Sequence, residues 1–228
     1  MNPRPTEEPL PESFFQAAPY DVAAALLGCA LVRRMGGSLV GGLIVETEAY
    51  LAEDDPAAHS HRGPTPRNAS MFGRAGTLYV YTIHAKYCLN AVTESVGRGS
   101  AVLIRALEPV WGLKEMRRRR GRDELRKLCR GPAMLCQSLD VDLRLDGANL
   151  CDGQSIWIER FAEPLQFETS ATPRIGIRHA AELPLRFFID GNRYVSGLAR
   201  DHTRRPTESL LENAFSEERG KAPDQLRR

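Results

Sequence analysis

Two apolar runs, SLVGGLIVETEAY (residues 38–50) and SAVLIRALEPV (100–110), carry charge where a buried strand tolerates it least. Their aliphatic and β-branched content predicts strands. A period of two puts Ile44, Glu46 and Glu48 on one face of the first, and Arg105 on one face with Leu103 and Leu107 in the second. A guanidinium in that setting must meet an anion, either an internal carboxylate or a phosphate from outside. Gly41 and Gly42 mark a bulge or a close backbone approach within the first run.

The other elements read less sharply. DVAAALLGC (21–29) predicts a short helix capped by Asp21 and ended by Gly28, and GTLYVYTIH (76–84) a further strand. Residues 109–120 fit a helix with Pro109 in its first turn and Gly121 as the stop. GPAMLCQSLDV suggests another short helix, and SIWIERF and LRFFIDG two strands. Helices and strands do not alternate, which predicts an α+β fold, one compact domain on a mainly antiparallel sheet with flanking helices. Residues 1–18 read as a loose arm, 19–200 as the domain, and 201–228 as a polar tail that frays.

Composition excludes several classes. No stretch approaches the roughly 18 apolar residues of a membrane span, and the N-terminus lacks the apolar core of a signal peptide, so a soluble intracellular chain is expected. Five cysteines without a C-x-x-C pair argue for reduced thiols over a disulfide framework or zinc ribbon. The net charge is only +2, but residues 114–130 concentrate the basic excess, which permits a polyanionic partner.

Chemistry concentrates in VETEAYLAEDDPAAHSHRG (45–63) and in the long Pro/Gly/Asp-rich segment that overlaps it, residues 51–75. Glu46, Glu48, Asp54, Asp55, His59 and His61 offer enough ligands for a metal, yet H-x-H and D-D recur in ordinary loops and no H-E-x-x-H spacing supports a hydrolytic zinc. Asp54 and Asp55 read as solvated loop charges. Glu48, two residues before Tyr50, reads either as a general base or as an edge glutamate paired with a surface arginine. Tyr79 and Tyr81 share a strand face, with Tyr87 close behind. With a nearby histidine and Asn90 they form either core packing or a slot for a planar base. Arg62, Arg67 and Arg74 sit on a Gly/Pro loop suited to a sugar-phosphate backbone. Together these features point to an enzyme that works on a nucleic-acid base.

In order and spacing, VETEAY, AAHSHRGPTPRNASMFGRAGTLYVY, LIRALEP, GPAMLCQSL, PRIGIRHA and PLRFFIDG resemble the alkyladenine (3-methyladenine) DNA glycosylase family of base-excision repair. The resemblance implies a curved antiparallel sheet that binds duplex DNA carrying damaged purines and flips one nucleotide into a pocket. It implies Glu48 as the base that activates water, with Arg105 holding that water and the flipped nucleotide's phosphate. Tyr50, His59 and Tyr81 would line the base pocket, and Asn90 would clash with the exocyclic amine of guanine. No lysine in these blocks is placed as a Schiff-base nucleophile, so a monofunctional enzyme is implied; no metal or cofactor is expected, and a monomer is the default expectation. The family's tyrosine wedge falls on His84 here, HAKYCLN is one residue short, and Met134 replaces a common lysine. The residue 117–120 arginine run reads as a solvated helix face that can also replace the lost phosphate contact. Two other classes stay open: a metal-dependent nuclease built on residues 46–61, which chelation would silence, and a DNA-binding module without catalysis.

Overall fold

The computed structural model describes residues 3–163 and 165–197. Among them, eight strands form one curled sheet: β1 (Ala30–Met35), β2 (Ser38–Tyr50), β3 (Leu78–Ile83), β4 (Lys86–Thr93), β5 (Ser100–Trp111), β6 (Ile156–Glu159), β7 (Thr169–Thr172) and β8 (Arg186–Ile189). The order is β3-β4-β5-β2-β1-β6, with β8 on β2 and β7 on β8, and all these pairings are antiparallel. The fold is therefore α+β, as expected.

Strand β2 organises the sheet. One edge pairs with β5 over residues 41–50; the other is shared, β1 taking residues 38–43 and β8 taking 46–48. The sheet forks at Glu46. Both readings of the glycine pair hold: the register shifts between Gly41 and Gly42, and a Cβ would lie 2.3 Å from Leu31 O at Gly41 and 2.1 Å from Glu108 O at Gly42. Register shifts on either side of Glu46 break the strict alternation expected from Ile44 onward. What survives of the predicted face is Glu46 and Glu48, which share one partner.

Helices cover the sheet. α1 (Glu12–Phe15) and α2 (Pro19–Ala25) precede it, α3 (Leu113–Arg120) packs on α4 (Pro132–Leu139), and α2 and α4 pack on the strands. The core between them includes Phe15, Leu26, Leu43, Ile104, Leu107 and Trp157. Each such side chain, fully buried, contributes about 1.5–3 kcal/mol.

Several expectations need correction. Helix α2 starts at Pro19, so Asp21 sits inside its first turn and makes no cap bond there; its charge still favours the positive helix end. Pro109 belongs to β5 and not to a helix. It is tolerated because β4 pairs with β5 only over residues 100–103, leaving that stretch of the strand without a β4 ladder to interrupt. Gly121 does end α3, in the left-handed region. Strands β1 and β4 escaped the sequence reading, since Arg33, Arg34 and Asn90 interrupt their apolar pattern.

The arm is not loose from residue 3 onward. Phe15 is fully buried, Thr6 and Glu7 donate backbone N–H groups to the Glu159 carboxylate, and Trp111 Nε1 donates to Pro3 O. The expected fraying of residues 201–228 lies outside the described residues. Among the described residues no helix is long and apolar enough to cross a membrane.

Candidate active site

The end of β2 and the middle of β5 lie side by side, with Glu48 opposite Leu103 and Glu46 opposite Ala106. That register places Arg105 against both carboxylates, its Nε 2.9 Å from Glu46 Oε1 and its Nη1 3.1 Å from Glu48 Oε1. Internal carboxylates thus answer the question that Arg105 posed. Burial disfavours its charge, but Glu48 and Glu46 outweigh that and hold its pKa above the ordinary arginine range.

The two glutamates, though both fully buried, are not equivalent. Glu46 accepts from Arg105, from Arg186 Nε at 2.7 Å, and from Ser196 N at 2.7 Å and Oγ at 3.0 Å. Burial alone would raise its pKa; the two guanidinium groups reverse this and lower it. Glu48 accepts from Tyr50 Oη at Oε2 (2.9 Å) and from Ile175 N at Oε1 (2.8 Å), and Oε1 is also ion-paired with Arg105. Each carboxylate oxygen offers about two lone-pair sites, so Glu48 Oε2, which accepts from Tyr50, keeps one for a further donor, while Glu46 is held by four donors from three residues.

Above Glu48 lies a cavity of about 340 Å³, whose lining includes Tyr50, His59, Tyr81, Asn90, Arg105 and Ile175. Glu48 itself lies beneath, and its three partners form part of the cavity wall. The volume is at the small end for ligand sites, roughly 300–1,000 Å³, and suits one planar base. His59 stands edge-on to Tyr81, ring centres 4.4 Å apart, and its Nδ1 is 2.8 Å from Tyr79 Oη. Partial burial lowers the His59 pKa, although the residue as a whole remains exposed. Burial, with Glu48 next in weight, raises that of Tyr50. Asn90 Nδ2 donates to Tyr79 O at 3.1 Å.

Not every predicted site residue reaches this cavity. Tyr87 packs against the main core. Arg62 and Arg67 line a larger neighbouring cavity of about 820 Å³ that shares His59, Tyr79 and Tyr81. Arg74 is in neither; it is exposed, with Glu12 at 3.9 Å. His84 is absent from the cavity lining too. With Ala85 it forms the exposed two-residue turn of the β3–β4 hairpin, at φ 47° and 57°. Its neighbour Ile83 lines the cavity and is 47% exposed.

The reading of Asp55 as a solvated charge is overturned. It is buried and paired twice with Arg174, at 2.6 and 2.7 Å, because its carboxylate also accepts the Leu51 and Ala57 N–H groups and so orders the loop. Arg174, Arg186 and Ser196 were missed as site residues; the PRIGIRHA and PLRFFIDG blocks contain the two arginines, and neither contains Ser196. The arginine run is not simply solvated either: Arg119 donates to Ser138 O, tying α3 to α4, and Arg120 to Leu128 O in the segment between them, while Arg118 stays exposed. Among the described residues no three His, Cys, Asp or Glu side chains converge as a metal-binding group.

A curled antiparallel sheet thus carries a buried carboxylate whose partners line an aromatic cavity. Residues 13–193 match the family model described as methylpurine-DNA glycosylase, and the chain belongs to that family. A protein of Rhodopirellula baltica is 55% identical over 206 residues, covering 88% of each chain. Proteins of Methanoculleus marisnigri (48% over 191 residues) and Carboxydothermus hydrogenoformans (46% over 188 residues) each cover 82% of this chain and 98% of their own. All three carry the provisional name 3-methyladenine DNA glycosylase.

Proposed function

We propose that this protein is a DNA glycosylase that flips alkylated or deaminated purines out of duplex DNA and hydrolyses the N-glycosidic bond, leaving an abasic site. The observation that carries the reading is the Glu48 carboxylate, whose partners Tyr50, Arg105 and Ile175 all line a cavity of about 340 Å³.

Flipping costs a few kcal/mol, least for a weakened base pair, so selection begins before the cavity is entered. Once inside, the base stacks on Tyr50 and meets the edges of His59 and Tyr81. The remaining lone pair on Glu48 Oε2 accepts a hydrogen from water and aims its oxygen at the anomeric carbon. As the sugar gains oxocarbenium character, the negative carboxylate stabilises it. The water's proton passes to Glu48, and the bonding electrons leave with the base. A base alkylated at N3 or N7 is already cationic and departs unaided; a neutral one such as hypoxanthine needs a proton or hydrogen bond on the ring. No step needs a metal or a lysine adduct, which makes the activity monofunctional.

Arg62 and Arg67, on the adjoining cavity, suit backbone phosphates beside the flipped nucleotide. The end of the β3–β4 hairpin fills the gap in the helix. Apolar side chains serve as wedges between base steps, and Ile83 fits that role better than the His84 of the sequence reading.

The test is single-turnover base release from duplexes carrying hypoxanthine, ethenoadenine or 7-methylguanine, with EDTA present, comparing wild type with Glu48→Gln. Release that collapses in the variant while DNA binding persists is the expected result. Binding without release from any lesion would instead mark a damage-binding module, and release abolished by EDTA a metal enzyme.

A further inference from the structure

Asp55 and Arg174 make a buried, two-pronged ion pair, Nη1 to Oδ2 at 2.6 Å and Nη2 to Oδ1 at 2.7 Å. Neither residue lines the cavity. The guanidinium lies over the Tyr50 ring, Cζ 4.6 Å from its centre, and Nη1 also donates to Ala49 O at 3.0 Å. Tyr50 does line the cavity, so Arg174 covers its ring from behind. We infer that Arg174, acting through Tyr50 and balanced by Asp55, sets the site's preference between cationic and neutral bases.

A ring face attracts a cation through its quadrupole. A guanidinium on one face already uses that quadrupole and adds positive charge, so a cationic base on the other face gains less. A neutral base has no such loss. Asp55 offsets much of the arginine's charge, and the balance of the pair therefore fixes how strongly cations are disfavoured. The residues are positioning and specificity determinants; they do not touch the reacting atoms.

The inference rests on the base-excision reading, and its test is the ratio of single-turnover release rates, 7-methylguanine over hypoxanthine, in matched duplexes. Asp55→Asn leaves Arg174 in place through Ala49 O but uncompensated, so the ratio falls about threefold or more. Asp55→Asn with Arg174→Met removes both charges, and the ratio rises above wild type by a similar factor. A merely structural pair would slow both lesions together and leave the ratio unmoved. An unchanged ratio, or shifts in the same direction in both variants, overturns the inference. If the double variant does not fold, Asp55→Asn decides alone, since its amide oxygen still accepts a loop N–H. Wild-type protein that releases neither base sinks the base-excision reading and this inference together, whereas release with an unmoved Asp55→Asn ratio sinks only the latter.

Discussion

Tyr50 donates its phenolic hydrogen to Oε2 of Glu48 across 2.9 Å while its ring forms part of the cavity wall. One side chain thus faces the base and aims the carboxylate. Tyr50→Phe separates the two tasks, because stacking survives and the hydrogen bond does not. A hydrogen bond to a charged group is worth about 1.5–3 kcal/mol. Single-turnover release should fall by about ten- to a hundredfold with DNA affinity little changed, as gel-shift titration would show; a parallel loss of affinity would mean the ring had moved.

Glu46 and Glu48 are two residues apart and equally buried, yet they should fail differently when neutralised. Glu46→Gln removes the carboxylate on which Arg186, Arg105 and Ser196 converge, and breaking such a buried ion pair costs about 3–5 kcal/mol. Its signature is a large drop in melting temperature, with activity lost through unfolding. Glu48→Gln leaves Arg105 with Glu46 and should melt much closer to wild type while losing base release. Calorimetry on the two variants decides; equal melting losses would remove the distinction between scaffold and base.

How much of this was legible in the sequence follows from what each residue depends on. Glu46, Glu48 and Arg105 stood out because charge inside an apolar run is costly whatever the fold, and the glycine pair because a bulge needs it. Their mutual pairing was not legible, since β2 and β5 are distant in sequence, with the long loop and the β3–β4 hairpin between them. Asp55 looked like any loop aspartate; its partner lies 119 residues away, in a segment without periodicity. Pro109 suggested a helix start, for only the sheet topology reveals that β4 stops short of it. His84 took the wedge role by motif position, whereas the tight hairpin turn places the exposed apolar surface on Ile83.

His59 gives the site a pH dependence. Its folded pKa is lowered by burial from the ordinary 6.5, so the unfolded chain binds the proton first as pH falls. Stability should be unaffected well above 6.5, decline as pH drops through it, and keep declining until the folded ring is itself protonated. The effect is modest because the residue is exposed. Protonation also fixes Nδ1 as a donor toward the Tyr79 oxygen, so the bond no longer adapts to either tautomer. Melting curves from about pH 8 to about pH 5.5 should therefore show a smaller acid loss in His59→Asn than in wild type. A loss of the same size in both proteins would place the sensitivity elsewhere.

The hairpin end offers a choice between neighbours. Ile83 closes the last β3–β4 pair, opposite Lys86, with its side chain exposed at the cavity, while His84 begins the left-handed turn. A wedge has to be apolar enough to sit between bases and rigid enough to hold the gap open. A β-branched side chain on a strand meets both needs, whereas a turn imidazole is polar and free to reorient. Losing the wedge forfeits a few kcal/mol of unstacking compensation, so Ile83→Ala should slow release by about tenfold or more from stably paired lesions and less from mispaired ones. His84→Ala should change little beyond the turn itself. Fluorescence of 2-aminopurine placed beside the lesion would report the unstacked state directly, and a larger loss of that signal in His84→Ala than in Ile83→Ala would return the wedge to the histidine.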